Sequence, residues 1–536
     1  MIHSFLQALK PLLVSFDKPS QQQILTLLKQ LSKHNRFTVL QIQRYTECLL
    51  FLQAYTSSKA IYAYAELELL RLGKVLKNNT ELIEQLQDSG YPHTFMYTRF
   101  SHEAMQWIYE QTDWLLALDG VEDGQPIAPV LARSFSSIEK HQLVEEWNNE
   151  EIFEYFLLKK DQRLPVLLSE FTRWQAMPST KDYFWDKAAL FFKIGFRDSR
   201  FVFGRNKLSW VTPYLHQDLI KKFDVLQLLQ TPLPDVEVLS AKRKSELVHV
   251  IKASMVLAFR ETDTSTFMKE DSLQYISLDR GIGIAFYDML PERQLPLQSY
   301  IGFTMFKNGH PVSYGGSWIF GDWSQFGINI LESFRGGESG YLMCQLLRAY
   351  IQTYSLQVVE VDAYQFGKDN EDGIRSGAFW FYYKFGFRPM DTKLNAYARM
   401  EFQKIKNKQG YKSSEATLRK LAESNMSLVL KPSGLPKLQV LFDQVTQHIS
   451  AAFHGNRRMA EKVGVEKLEK LLPPRTRSST HDAAFLEWAL LGNALGRLTK
   501  SNAPLLERLV RLKANDSVAY QAAVLEFFRS NRKPRS

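Results

Sequence analysis

Phe334-Arg335-Gly336-Gly337-Glu338-Ser339-Gly340-Tyr341-Leu342-Met343, FRGGESGYLM, stands between an apolar run, FGINIL (326–331), and CQLLRAYIQTY (344–354). The first flank reads as a strand and the second as a helix. The opening N–H groups of a helix have no partner within it, and the helix dipole adds partial positive charge there. Glycines let an anion come close, so a turn of this kind is a natural phosphate cradle. Several folds use the device, and the neighbouring residues discriminate among them. A P-loop needs Gly-Lys-Ser/Thr at the helix start, but Gly340 is followed by Tyr341 and Leu342. A dinucleotide site needs Gly-x-Gly-x-x-Gly within parallel strand–helix units. GIGIAF (281–286) lacks the third glycine and reads as part of a strand.

Upstream, RGIGIAFYDML, QSYIGFTMFKNGHPVSYGGSWIF and QFGINIL are rich in Ile, Val, Phe and Tyr and are bounded by turns, which predicts strands. Asn308-Gly309 between two such runs predicts an antiparallel hairpin. LQVVEVDAYQF predicts a further strand. The expected order is helix, antiparallel strands, glycine turn, helix, strand, helix, strand.

Those residues, with GAFWFYYKFGFRP about 35 positions further on, resemble the core of the GNAT N-acyltransferase superfamily over roughly residues 240–400. The resemblance implies a turn whose backbone amides bind the pyrophosphate of acyl-CoA, by default acetyl-CoA. Arg335 matches the first motif residue and Gly340 the last glycine. Ala378, Tyr382, Lys384, Gly386 and Phe387 match a second family pattern. By position, Leu331, Arg335, Gly336, Gly337, Glu338, Ser339, Gly340 and Tyr341 would contact the coenzyme. Arg375, or the Ser376 hydroxyl, stands where the family often places a coenzyme-contacting asparagine. Tyr382 falls where many members hold the tyrosine that protonates the departing thiolate, and a phenol keeps its proton to about pH 10. Glu338 departs from the family pattern, since a carboxylate repels a pyrophosphate. Gly336 and Gly337 would let the turn take another path, with Glu338 directed to solvent.

A general base must take a proton from the attacking amine. Glu332 ends the strand before the turn, and Glu360 and Asp362 alternate on one face of VVEVDAY together with Tyr364. Any of the three carboxylates fits, and Glu332 is preferred. The expected function is direct transfer of an acyl group from acyl-CoA to an amine of a small molecule or protein, without a metal. The alternative is a degenerate acyltransferase fold serving as a binding or scaffold module.

The expected fold class is α+β: a mixed, mostly antiparallel sheet with helices at 240–405, flanked by a helical region at 1–235 and a basic helical region at 410–536. SQQQILTLLKQL predicts a helix with a Ser20–Gln23 capping box. SHEAMQWIYEQTDWLLAL and KDYFWDKAALFFKIGF predict helices with aromatic faces, and GVEDGQPIAP (120–129) predicts a loop. Residues 401–536 hold 24 lysines and arginines against 12 aspartates and glutamates, so the net charge of +10 belongs to that region. This leaves a nucleic-acid partner open, although no nucleic-acid motif accompanies the charge. The two cysteines, Cys48 and Cys344, read as buried apolar residues rather than a disulfide or a nucleophile. No apolar run reaches the roughly 18 residues that span a bilayer. No signal peptide is read at the N-terminus, and a cytoplasmic protein is expected.

Overall fold

The computed structural model describes residues 1–121, 127–128, 131–132, 135–141, 147–156, 158–473 and 482–529. The chain begins with four helices, α1 (Ile2–Leu12), α2 (Lys18–Leu31), α3 (Val39–Ala54) and α4 (Lys59–Lys77). Ile24, Leu27, Leu28 and Leu31 fall at helical spacing and bury one face of α2 against the others. The expected cap at Ser20 is corrected: α2 starts earlier, and Asp17 accepts from the Ser20 N–H. The reciprocal box occurs instead on α3, between Thr38 and Gln41.

The first 235 residues are not all helical. A three-stranded antiparallel sheet, β1 (Phe95–Thr98), β3 (Leu190–Gly195) and β2 (Leu115–Val121) in that spatial order, interrupts the helices. The helix predicted from 101 stops at Gln111, and WLLAL enters β2. The helix predicted from 181 stops at Ala188, where Ala189 takes a left-handed φ of 47° and releases LFFKIG into β3. An apolar run of five or six residues fits either element, and these two pair in the sheet. Most of the predicted loop at 120–129 lies outside the described residues.

After an extended passage at 231–240, helix α5 (Ala241–Leu257) leads into a second sheet of eight strands. These are β4 (Gln274–Leu278), β5 (Ile282–Asp288), β6 (Ser299–Lys307), β7 (His310–Phe320), β8 (Trp323–Ile330), β9 (Val358–Val361), β10 (Arg388–Pro389) and β11 (Met426–Val429). Their spatial order is β10-β11-β9-β8-β7-β6-β5-β4. The hairpin at Asn308-Gly309 forms as predicted, both residues having positive φ (49° and 80°). Every pairing is antiparallel except β8 with β9.

Helix α6 (Ser339–Tyr354) crosses between those parallel strands and packs on the sheet through Leu342, Met343, Leu346, Leu347 and Tyr350. Phe286, Phe303 and Phe326 of the sheet meet them, and the Tyr350 hydroxyl donates to the Ile301 carbonyl at 2.8 Å. Helix α7 (Ala378–Lys384) follows β9.

The boundary near 405 is crossed by the sheet. β11 lies beyond it, yet it pairs with both β9 and β10. The remaining C-terminal chain forms helices 438–453, 457–471, 482–494, 503–515 and 517–529 around Trp488 and Tyr520. The N-terminal helices also share the central core, because Leu50, Phe51 and Tyr55 of and after α3 pack with Phe334 and Tyr341. No helix among the described residues is long and apolar enough to cross a membrane.

Candidate functional site

The parallel strands β8 and β9 pair only at Trp323–Val358, Ser324–Val359 and Gln325–Glu360. β8 then runs on to Ile330 paired only with β7, and the sheet opens on its other side along its second half. Leu331 leaves the strand, residues 332–334 make a single 3₁₀ turn, and Gly336 takes a φ of 87° before α6 begins. This is the strand–glycine turn–helix connection read from the sequence.

Glu338 corrects one expectation. Its side chain does not face solvent but is fully buried beneath the turn. One oxygen accepts from Lys307 Nζ at 2.7 Å, and the other from Arg280 Nη2 at 2.7 Å and the Ile220 N–H at 2.8 Å. Lys307 is itself fully buried, so the carboxylate is what compensates its charge. Burial still lowers the Lys307 ammonium to about 8 against the opposing pull of Glu338. Arg280 also reaches Asp218 at 3.0 Å and His216 Nδ1 at 3.3 Å.

Burial, then the charges of Lys307 and Arg280, lower the His216 pKa to about 3. An unfolded His216 takes up a proton below about 6.5. Its contribution to stability is therefore present above pH 6.5 and is lost as pH falls towards 3. His216→Gln should flatten this acid limb, by on the order of 3 kcal/mol between those pH values, in denaturant titrations across pH.

The start of α6 is covered by the chain itself. The Glu338 N–H points to the Tyr55 hydroxyl at 3.5 Å, and Phe223 stacks on Phe385 and meets Tyr341 edge-on. A Cβ on Gly340 would lie 2.2 Å from the Phe385 ring, and one on Gly337 would lie 2.7 Å from the Tyr55 ring. These two glycines therefore serve close packing. Gly340→Ala should destabilise by about 1–3 kcal/mol through overpacking, whereas Gly336→Ala meets no atom and is opposed only by its positive φ. Thermal melts of the two variants check the contrast. Ser339 and Gly340 remain half-buried, and Arg335 and Gly336 are exposed.

Two cavities flank the exposed part of the turn. The first, of about 420 Å³, lies between α3, α5, the start of β7 and the open end of β8. Asn206, Arg260, His310, Tyr314 and Asn329 line it together with Leu331. The second, of about 580 Å³, lies between α1, α3 and the turn, and carries His3, Lys10, Arg44 and Gly336. Glu47, Glu332, Ser333 and Arg335 line both, so the cavities adjoin across these residues. Glu332 is largely exposed and makes a 3.3 Å contact with Arg335 Nη1. Partial burial and the nearby Glu332 charge raise the Glu47 carboxyl above its usual range.

The other predicted groups are placed elsewhere. Glu360 accepts from Asn425 Nδ2 at 2.7 Å and Trp323 Nε1 at 3.1 Å, and Asp362 accepts from the Tyr364 N–H and Gln325 Nε2. Both carboxylates thus tie β9 to its neighbours, and Tyr364 is exposed. Tyr382 is buried among Phe366, Phe381 and Phe387, and lines neither cavity. Burial raises its pKa and holds the phenol protonated. Arg375 is exposed beside Asp372 at 3.7 Å, and the Ser376 hydroxyl donates to the Gly373 carbonyl. Cys344 is buried, which pushes its thiol up to about 12.

Sequence reasoning missed Lys10, Arg44 and Glu47, which reach the turn from α1 and α3 only once the chain is folded. It also missed Arg280 and Lys307, whose sole signal is a lysine just before the Asn-Gly hairpin. No group of three or more His, Cys, Asp or Glu residues arranged to hold a metal ion occurs among the described residues. No family model, no curated protein and no solved structure matches this chain.

Proposed function

We propose that the protein transfers an acyl group from acyl-CoA to an amine, in the manner of the GNAT acyltransferases its turn resembles. The observation that carries this reading is the parallel pair β8/β9, which separates after three residues beside a cavity rimmed by the turn 331–335. A coenzyme's extended arm needs such an opening, and its phosphates need cations and accessible backbone amides nearby.

The phosphates are assigned to the cavity of Lys10, Arg44, Arg335 and Gly336 rather than to the covered start of α6. The side chains of Lys10 and Arg44 make no hydrogen bond or ion pair among the described residues. Within the reaction, Glu332 takes one proton from the incoming ammonium, and the nitrogen attacks the thioester carbonyl. The C–N bond forms, the C–S bond breaks, the nitrogen releases its second proton to solvent, and the thiolate takes a proton from solvent rather than from Tyr382. Titration of the purified protein with coenzyme A and acetyl-CoA tests the reading, with saturable binding of both expected.

The alternative, a scaffold that binds no acyl-CoA, is favoured by the Glu338 carboxylate lodged under the turn. Failure of either ligand to bind at millimolar concentration would establish that alternative over the enzyme. A nucleic-acid partner for the basic C-terminal region remains a separate proposal, tested by the salt dependence of binding.

A further inference from the structure

The 420 Å³ cavity is large enough for a small molecule. Its lining carries polar groups that the protein leaves unsatisfied. Asn206 is 7 % exposed; its Nδ2 donates to the Val250 carbonyl and to Ser254 Oγ, while its Oδ1 has no partner. His310 is 1 % exposed, and its Nε2 also has no partner. Burial and the charge of Lys207 hold that imidazole neutral. Both atoms are shielded from anything the size of a water molecule, so the polar groups a ligand can reach are the charged side chains of the rim.

Charge on the rim restricts its class. Glu47 and Glu332 bring two carboxylates to the side shared with the phosphate cavity. Arg260, just beyond the end of α5, lines the same cavity and has no side-chain partner among the described residues. Leu50, Phe203, Leu257 and Phe334 supply apolar wall between them. An ammonium is drawn to the carboxylates, and a carboxylate is drawn to the guanidinium.

We infer that this cavity binds a free α-amino acid, with its amino group at Glu47 and Glu332 and its carboxylate at Arg260. The inference rests on the acyltransferase reading only in making that amino acid the acceptor. Its amino group then lies beside Glu332, where the acyl group arrives. The ammonium gives one proton to Glu332, its nitrogen forms the C–N bond as the C–S bond breaks, and the second proton lost by nitrogen passes through solvent, which protonates the departing thiolate.

The test is titration of the full-length protein with each of the common amino acids, in the absence of acetyl-CoA. Matched amines lacking the carboxylate, and matched acids lacking the amine, are run beside them. The parent should bind at least one amino acid saturably, and more tightly than its amine or acid counterpart. Arg260→Gln should weaken that amino acid by about tenfold and leave the matched amine unchanged, while Glu47→Gln should weaken both. Both replacements are at the rim, and an unchanged melting temperature shows that the fold is kept. Absence of binding by every amino acid, or equal binding of the matched amine, would overturn the inference. A parallel acetyl-CoA titration separates the two claims: coenzyme binding without amino-acid binding removes only the acceptor assignment. Amino-acid binding without coenzyme binding keeps the site and removes the transfer reaction.

Discussion

Replacing Glu338 with leucine should destabilise the protein by about 3–5 kcal/mol, because it leaves Lys307 buried and unpaired. The same change removes an acceptor from Arg280 and from the Ile220 N–H, so three donors lose their common partner. Denaturant titrations measure the effect as a lowered midpoint at unchanged slope. The double variant Glu338→Leu with Lys307→Met should recover much of the loss, since it removes the stranded charge as well. Glu332→Gln, four residues before Gly336 and largely exposed, is the control and should change stability little. A single Glu338 variant as stable as the parent would mean that the cluster does not hold the turn to β6.

The second large effect concerns rate. Glu332→Gln removes the group assigned to take the amine's proton, and should lower kcat by about 10²–10⁴-fold. Acetyl-CoA affinity should change little, because the phosphates are assigned to Lys10, Arg44 and Arg335. Thiol release from acetyl-CoA, with the acceptor in excess, measures the first quantity, and equilibrium titration measures the second. Unchanged kcat would move the base to Glu47, which lines both cavities beside it.

Short-range signals in the sequence were legible. Asn308-Gly309 specified its hairpin, the strand–glycine turn–helix connection formed where it was read, and α5 followed the two prolines at 232 and 234. Elements settled by distant partners were not legible. WLLAL and LFFKIG are too short for periodicity to decide, and they become strands because they pair with each other and LFFKIG also pairs with β1. β11 is four residues long and enters the sheet from beyond a polar linker.

The site shows the same division. Arg335, Gly336 and Glu332 were found because they are contiguous with the turn. The orientation of Glu338 depended on Lys307, Arg280, Ile220 and Tyr55, none of which is near it in sequence. Alternation placed Glu360 and Asp362 on one strand face, but Trp323 and Gln325 of β8 bind one each, and Asn425, just before β11, binds Glu360 as well.

Hydrogen exchange of the full-length protein, with and without saturating acetyl-CoA, tests the central claim most directly. The account predicts slower amide exchange in segments 1–14 and 330–337, where α1 and the exposed part of the turn face the phosphate cavity. Unchanged exchange in both segments, or slowing confined to other parts of the chain, would contradict it.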